Sequence, residues 1–111
     1  MNDINTKCIA ELNDLCRKAM GVAGRLMQTE GINALPSLVQ SAIREKVEKF
    51  NNFTPDNDPH GEHDFGSINH EGLKIFWKID YYALNMEQGS ENPADPKQTV
   101  RVLTIMLANE Y

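Results

Sequence analysis

The sequence predicts an α+β fold in which two helices pack on a curled, mainly antiparallel sheet of about four strands, in the order α-β-α-β-β-β. Two observations predict this fold class. Apolar residues recur at helical spacing in the first half of the chain, whereas they alternate or run continuously in the second half. The length of 111 residues and the charged share of 24% are ordinary for a globular protein, so we expect one domain over residues 1–111.

The first half of the chain contains two apolar stripes of the kind that amphipathic helices have. From Ile4 to Met20, apolar residues recur three or four positions apart, which predicts the first helix. A second stripe follows Pro36, a residue that suits the first turn of a helix, and predicts a helix over about residues 37–50. Between the two helices we expect a short strand across Arg25–Thr29.

The second half of the chain combines turn residues with strand patterns. The stretch NNFTPDNDPHGE is rich in Asn, Asp, Pro and Gly, and it predicts a loop that leads into a strand at His63. LKIFWKIDYYAL alternates between apolar and polar residues, as a strand with one buried face does. TVRVLTIMLA is apolar on both faces, which predicts a strand that is covered on each side or lies at the centre of the sheet.

Acidic residues are concentrated in the second half. Residues 1–53 carry seven Lys and Arg against six Asp and Glu, whereas residues 54–111 carry four against ten. Direct binding of nucleic acid is therefore not expected, because Lys and Arg supply most of that affinity by neutralising phosphates. A basic protein partner fits this charge better.

The two cysteines and the amino-terminal sequence indicate the cellular compartment in which we expect the protein. Cys8 and Cys16 are eight positions apart on the first predicted helix, about 12 Å along its axis and too far for a disulfide. The sequence has neither the basic and apolar pattern of a secretory signal at its start nor an apolar run long enough for a membrane helix. We expect a cytoplasmic protein without a membrane partner, and a homo-oligomer is compatible with the sequence.

Four stretches of the sequence, DPHGEHDFG, FWKIDYY, GSENPADP and RVLTIMLANEY, resemble an uncharacterised family of short proteobacterial proteins. That family is a domain of unknown function met in plasmid and phage settings. The resemblance covers nearly the whole chain and is strongest from Asp56 to Tyr111. It implies a mobile-element context and assigns no role to any residue.

The stretch DPHGEHDFG offers the chemistry of a metal site or of acid/base catalysis. Imidazole and carboxylate groups are the ligands that zinc and related metals prefer, although no helical HExxH pattern orders them here. Alternatively, His63 could act as a general base oriented by Asp80 or Glu62. Both ideas belong to one hypothesis, a metal-assisted hydrolase or nuclease. Its metal-ligating candidates are His60, His63, Asp64 and His70.

The leading hypothesis is a non-enzymatic accessory protein of a mobile element, without a cofactor, that binds and neutralises a basic host factor. The most specific version of this hypothesis is an anti-defence inhibitor, comparable in role to an anti-CRISPR protein. The contacting residues would be the acids of two loops, Asp56, Asp58, Glu62, Asp64, Glu87, Glu91 and Asp95. A further alternative is a binder of a small nucleotide or signalling molecule. Its ligand-binding residues would be Trp77, Lys78, Tyr82 and Arg101.

Overall fold

The computed structural model describes residues 3–111, which contain three α-helices and four strands. The helices are α1 (Asp3–Lys18), α2 (Glu30–Asn33) and α3 (Ser37–Glu48). The strands are β1 (Arg25–Gln28), β2 (Phe65–His70), β3 (Leu73–Tyr82) and β4 (Val100–Leu107), and a 3₁₀ turn follows at Ala108–Glu110. The predicted α+β fold is confirmed, while the first two residues of the predicted domain lie outside the described part.

The four strands form one open, mixed sheet in the order β1-β4-β3-β2. β1 pairs with β4 in parallel, and the other two pairs are antiparallel. The predicted central position of the last strand is confirmed, because β4 lies between β1 and β3. Its neighbouring residues Val102 and Leu103 point to opposite faces of the sheet, and both are buried.

The hydrophobic core lies between the sheet and the helices. Trp77 of β3, Ile105 of β4 and Ile43 of α3 are all fully buried there. Cys16 of α1 belongs to the same core, and both it and the half-buried Cys8 are free thiols, as predicted. No helix within residues 3–111 has the length and apolar character needed to cross a membrane.

The sequence prediction of two helices misses α2. This short helix begins directly after β1 and is fixed by the far end of the chain. The Thr29 hydroxyl and the Gly31 backbone N–H both donate to the Glu110 carboxylate. Because these partners are about 80 residues apart in sequence, no local sequence pattern predicts the helix.

The predicted start of a strand at His63 is wrong. His63 has a φ of 57°, in the left-handed region that an extended chain cannot adopt, and β2 begins two residues later. The sequence NHEG (residues 69–72) predicts a tight turn between β2 and β3, and the structure confirms it. Its two central residues, Glu71 and Gly72, have φ values of 50° and 88°, as the common two-residue hairpin turn requires.

Candidate functional site

Two acid-rich loops meet at one end of the sheet. We call residues 49–64 the first acidic loop and residues 83–99 the second acidic loop. β2 begins beside Lys78, in the second half of β3, and β4 begins beside Tyr82, where β3 ends. The topology therefore places the junctions of both loops with the sheet at the same end of the sheet, and the seven acids predicted as partner-binding residues belong to these two loops.

Asn13 of α1 links the two loops through its side chain. Its amide nitrogen donates to the carbonyl oxygen of Glu62 at 2.9 Å and to the hydroxyl oxygen of Tyr81 at 2.8 Å. Its amide oxygen accepts a hydrogen bond from Nε of Arg101 at 2.7 Å. Since Asn13 is fully buried, these bonds satisfy groups that water cannot reach.

Arg101 extends this network to the second acidic loop. Its Nη2 donates to the carbonyl oxygen of Pro93, and its guanidinium lies 5.1 Å from the centre of the Tyr81 ring. The Tyr81 hydroxyl in turn donates to Oε1 of Glu62 at 2.8 Å. Burial raises the pKa of Tyr81 and lowers that of Arg101. One buried network, which we call the Asn13 network, thus joins Asn13, Glu62, Tyr81, Pro93 and Arg101.

A second cluster fixes the first acidic loop to α1 through His63. The ring nitrogen Nδ1 lies 3.0 Å from Oδ1 of Asp14, and the ring stacks on Phe53 with 3.8 Å between centroids. The His63 backbone N–H donates to the Asp58 carboxylate, whose side chain is only 6% exposed. Asp14 also pairs with the buried Arg17 at 2.5 Å. These contacts hold the unusual backbone conformation of His63 in place.

The metal-ligating candidates do not come together. His60 is exposed on the first acidic loop, His63 contacts α1, and the buried His70 lies at the far end of β2, 3.7 Å from Glu71. Across residues 3–111, no group of three or more His, Cys, Asp and Glu side chains is arranged to hold a metal ion.

The acid/base candidates are also paired differently from the prediction. Asp80 forms an ion pair with Lys78 at 2.9 Å, and Glu62 accepts from Tyr81, so neither residue orients His63. Asp58 lies 3.8 Å from Nε2 of His63, and the carboxylate nearest the ring is that of Asp14, which lies 49 residues earlier in the chain. Sequence reasoning missed it because helical spacing shows only that Asp14 shares a helix with its ion-pair partner Arg17.

The nucleotide-binding candidates lie on different surfaces. Trp77 is fully buried beneath the helices, and Arg101 is buried in the Asn13 network. Lys78 and Tyr82 point to the opposite face of the sheet, since side chains alternate along β3. The four residues therefore do not line one pocket.

The predicted acids differ in exposure and in their hydrogen bonds. Asp56, Glu87 and Glu91 are exposed to solvent. Asp95 accepts hydrogen bonds from the Lys97 backbone and the Gln98 side chain, which lower its pKa. The remaining three, Asp58, Glu62 and Asp64 of the first acidic loop, are partly buried.

The surroundings of Asp64 oppose ionisation of its carboxyl group. Burial raises its pKa, and the nearby charges of Glu62 and Asp58 raise it further. A carboxyl whose pKa is higher in the folded state than in the unfolded state favours unfolding while it is ionised. This penalty is fully present above the folded-state pKa and disappears as the pH falls below the unfolded-state pKa.

Replacing Asp64 with asparagine is therefore expected to stabilise the fold near pH 7 and to lose that benefit near pH 3. The gain should be roughly 0.5 kcal/mol, because solvent screens a half-buried group. Thermal unfolding at the two pH values measures it, with Asp56→Asn as the exposed control. A D64N variant that is no more stable than D56N near pH 7 would contradict the electrostatic penalty.

Fold and site together define a small α+β protein with acidic loops joined at one end by a buried polar network. A family model described as "Protein of unknown function (DUF3768)" matches residues 28–110. The chain belongs to this family, which confirms the expectation of an uncharacterised family. Comparisons with curated proteins and with solved structures found no match.

Proposed function

We propose that this protein is a non-enzymatic binding protein that neutralises a basic partner through the acidic loops. The observation that carries the proposal is the Asn13 network, because it holds both loops at the same end of the fold. The proposal requires that carboxylates far apart in sequence, such as Asp56 and Glu91, form one surface. We call the exposed residues Asp56, Glu87 and Glu91 the acidic end.

Electrostatics favours a cationic partner for this surface. The exposed carboxylates attract a basic surface at long range, which raises the rate of encounter. Behind them, Asp64 is ionised at a cost, since burial and the charge of Glu62 both raise its pKa. A Lys or Arg from a partner would remove that cost, so binding would regain stability that the free protein lacks.

The contacts around the reactive side chains support binding over catalysis. His63 is held by Asp14 and stacked on Phe53, while Glu62 accepts from Tyr81. Arg101 is committed to Asn13 and Pro93. These groups stabilise the loops, and such a role requires no substrate.

The biological setting that we propose is a mobile genetic element. The resemblance of the chain to short proteobacterial proteins in plasmid and phage settings favours a role in a mobile element. In that setting, the basic partner would be a host defence factor in the cytoplasm, and the protein would inhibit it by occupying its cationic surface.

Charge reversal tests the acidic end. The variant Asp56→Lys, Glu91→Lys changes one exposed acid in each loop, and the control Glu30→Lys, Glu71→Lys makes the same change in charge at exposed positions elsewhere. Each protein is immobilised and exposed to lysate of a proteobacterial host. We expect wild type and control to retain the same basic protein, and the D56K/E91K variant to bind it at least about tenfold more weakly.

Phage plating on a host that expresses each variant tests the anti-defence form separately. Wild type and the control should raise plating of a phage that the host restricts, and D56K/E91K should not. Equal retention of the partner by D56K/E91K and wild type would refute the proposed surface. Retention of the partner without any effect on plating would leave the surface in place and refute the anti-defence role.

A further inference from the structure

The strand β2 lies at an edge of the sheet, and its register shows which backbone groups point outward. The Ile79 N–H donates to the carbonyl oxygen of Asp64 at 2.9 Å, directly before β2 begins. In an antiparallel pair, residues alternate between facing the partner strand and facing away from it. The outward N–H and C=O groups of β2 are therefore those of Phe65, Ser67 and Asn69.

A groove of about 590 Å³ runs between α3 and this edge. Ile68 of β2 and Ala42 of α3 provide apolar surface in it. The residues on the helix side of the groove have the three- and four-residue spacing of one helical stripe. These lining residues are Ala42, Glu45 and Lys46 of α3 and Lys49, which directly follows the helix.

The groove also carries a cation without an anionic partner. Lys46 donates from Nζ to the carbonyl oxygen of Asn69 at 3.0 Å, and it has no acidic partner among residues 3–111. The neighbouring Lys49 is already paired with Glu45 at 2.7 Å. Lys46 therefore protects one outward carbonyl group and remains available to a carboxylate.

We propose that this groove binds an extended, acidic peptide segment of a partner protein by strand addition to β2. The peptide backbone would pair with the outward groups of Phe65, Ser67 and Asn69. Alternate side chains would enter the groove, an apolar one against Ile68 and Ala42 and a carboxylate at Lys46. Unpaired backbone groups at a sheet edge and pockets for alternate side chains are the features of strand-addition sites, and Lys46 would here select a carboxylate.

This peptide site is distinct from the acidic end. Apart from Lys49, the first residue of the first acidic loop, its lining residues belong to α3 and β2, and its free charge has the opposite sign. Pairing would also transfer the Asn69 carbonyl oxygen from Lys46 to a peptide N–H. The released ammonium group could then bind the peptide carboxylate without leaving a backbone acceptor unpaired.

A library of random peptides of about nine residues, enough to span a strand, provides the probe. It is selected on the immobilised full chain, and an enriched peptide is then synthesised. We expect enriched sequences to alternate apolar residues with others and to contain Asp or Glu. Hydrogen exchange in the presence of the synthetic peptide should slow at the amides of Phe65, Ser67 and Asn69. No enrichment, or protection elsewhere, would overturn the proposal.

Two matched pairs of variants test the pairing itself. Ser67→Pro removes an outward N–H and is expected to weaken peptide binding by at least about tenfold, whereas Ser67→Ala keeps the N–H and should bind normally. Lys46→Glu should weaken binding of the acidic peptide, and Lys74→Glu, exposed on the other face of the sheet, should not. If S67P loses its native circular dichroism, the lysine pair decides.

Equal affinity of K46E and K74E for the peptide would refute the site. A second copy of the chain is the competing occupant of the edge. Sedimentation without peptide distinguishes it, because β2 pairing between copies would give a dimer in which the same amides are protected. That result would also overturn peptide binding as the function of the edge.

Discussion

Replacing Arg101 with methionine is expected to lower the free energy of unfolding by about 2–5 kcal/mol and to loosen both acidic loops. Methionine fills much of the same volume but donates no hydrogen bond. The buried amide oxygen of Asn13 would lose its donor at a cost of about 1–3 kcal/mol, and the half-buried carbonyl oxygen of Pro93 would lose a donor at a smaller cost. Urea unfolding measures the loss of stability, and amide exchange measures the opening of the loops.

Arg25→Met provides the matched control for Arg101→Met. Arg25 lies in the same sheet, at an exposed position of β1, so its replacement should change stability by less than about 0.5 kcal/mol. Faster exchange in the second acidic loop alone would show that the loops are held independently. That outcome would contradict a single network and, with it, the structural basis of the acidic end.

Replacing Trp77 with alanine is expected to cost about 3–5 kcal/mol. The indole is fully buried, packs edge-on against Phe50 and Phe53, and lies 5.0 Å from the Arg17 guanidinium. Gly66, on the neighbouring strand, contacts the indole and has no side chain that could move into the cavity. The surroundings can therefore relax little after the substitution.

The Trp77 substitution should also disturb the first acidic loop. Phe53 packs against Trp77 on one side and stacks on His63 on the other, so a displaced Phe53 would release the loop. Urea unfolding measures the global loss, with Tyr82→Ala on the opposite face as a control that costs less. A loss below about 1 kcal/mol for W77A would contradict the central place of Trp77 in the core.

The parts of the fold that local pattern determines were predictable from the sequence. The stripes of α1 and α3 and the alternation of β3 come from which side chains must face a core, and the structure confirms them. The burial of Trp77 follows from the same alternation. By contrast, α2 depends on the carboxylate of Glu110, and the conformation of His63 depends on Asp14 and Phe53. Contacts between distant residues leave no periodic signal.

The same distinction applies to the site. The concentration of acids in the two loops is visible in the sequence, whereas their arrangement is not. The sequence shows Asn13 only as a polar residue on a predicted helix. In the structure its side chain accepts a hydrogen bond from Arg101, 88 positions away. Sequence reasoning also could not distinguish the exposed Asp56 from the nearly buried Asp58 two residues later, because backbone geometry decides which carboxylate turns inward.

Zero-length carbodiimide coupling of the protein to the partner retained from host lysate tests the acidic end most directly. The reagent joins a carboxylate to an amine only when the two are in contact, so mass spectrometry of the products identifies the acids at the interface. We expect the cross-links to involve Asp56, Glu87 and Glu91. Cross-links confined to Glu30, Glu45 or Glu71 would place the partner elsewhere and contradict the proposed function.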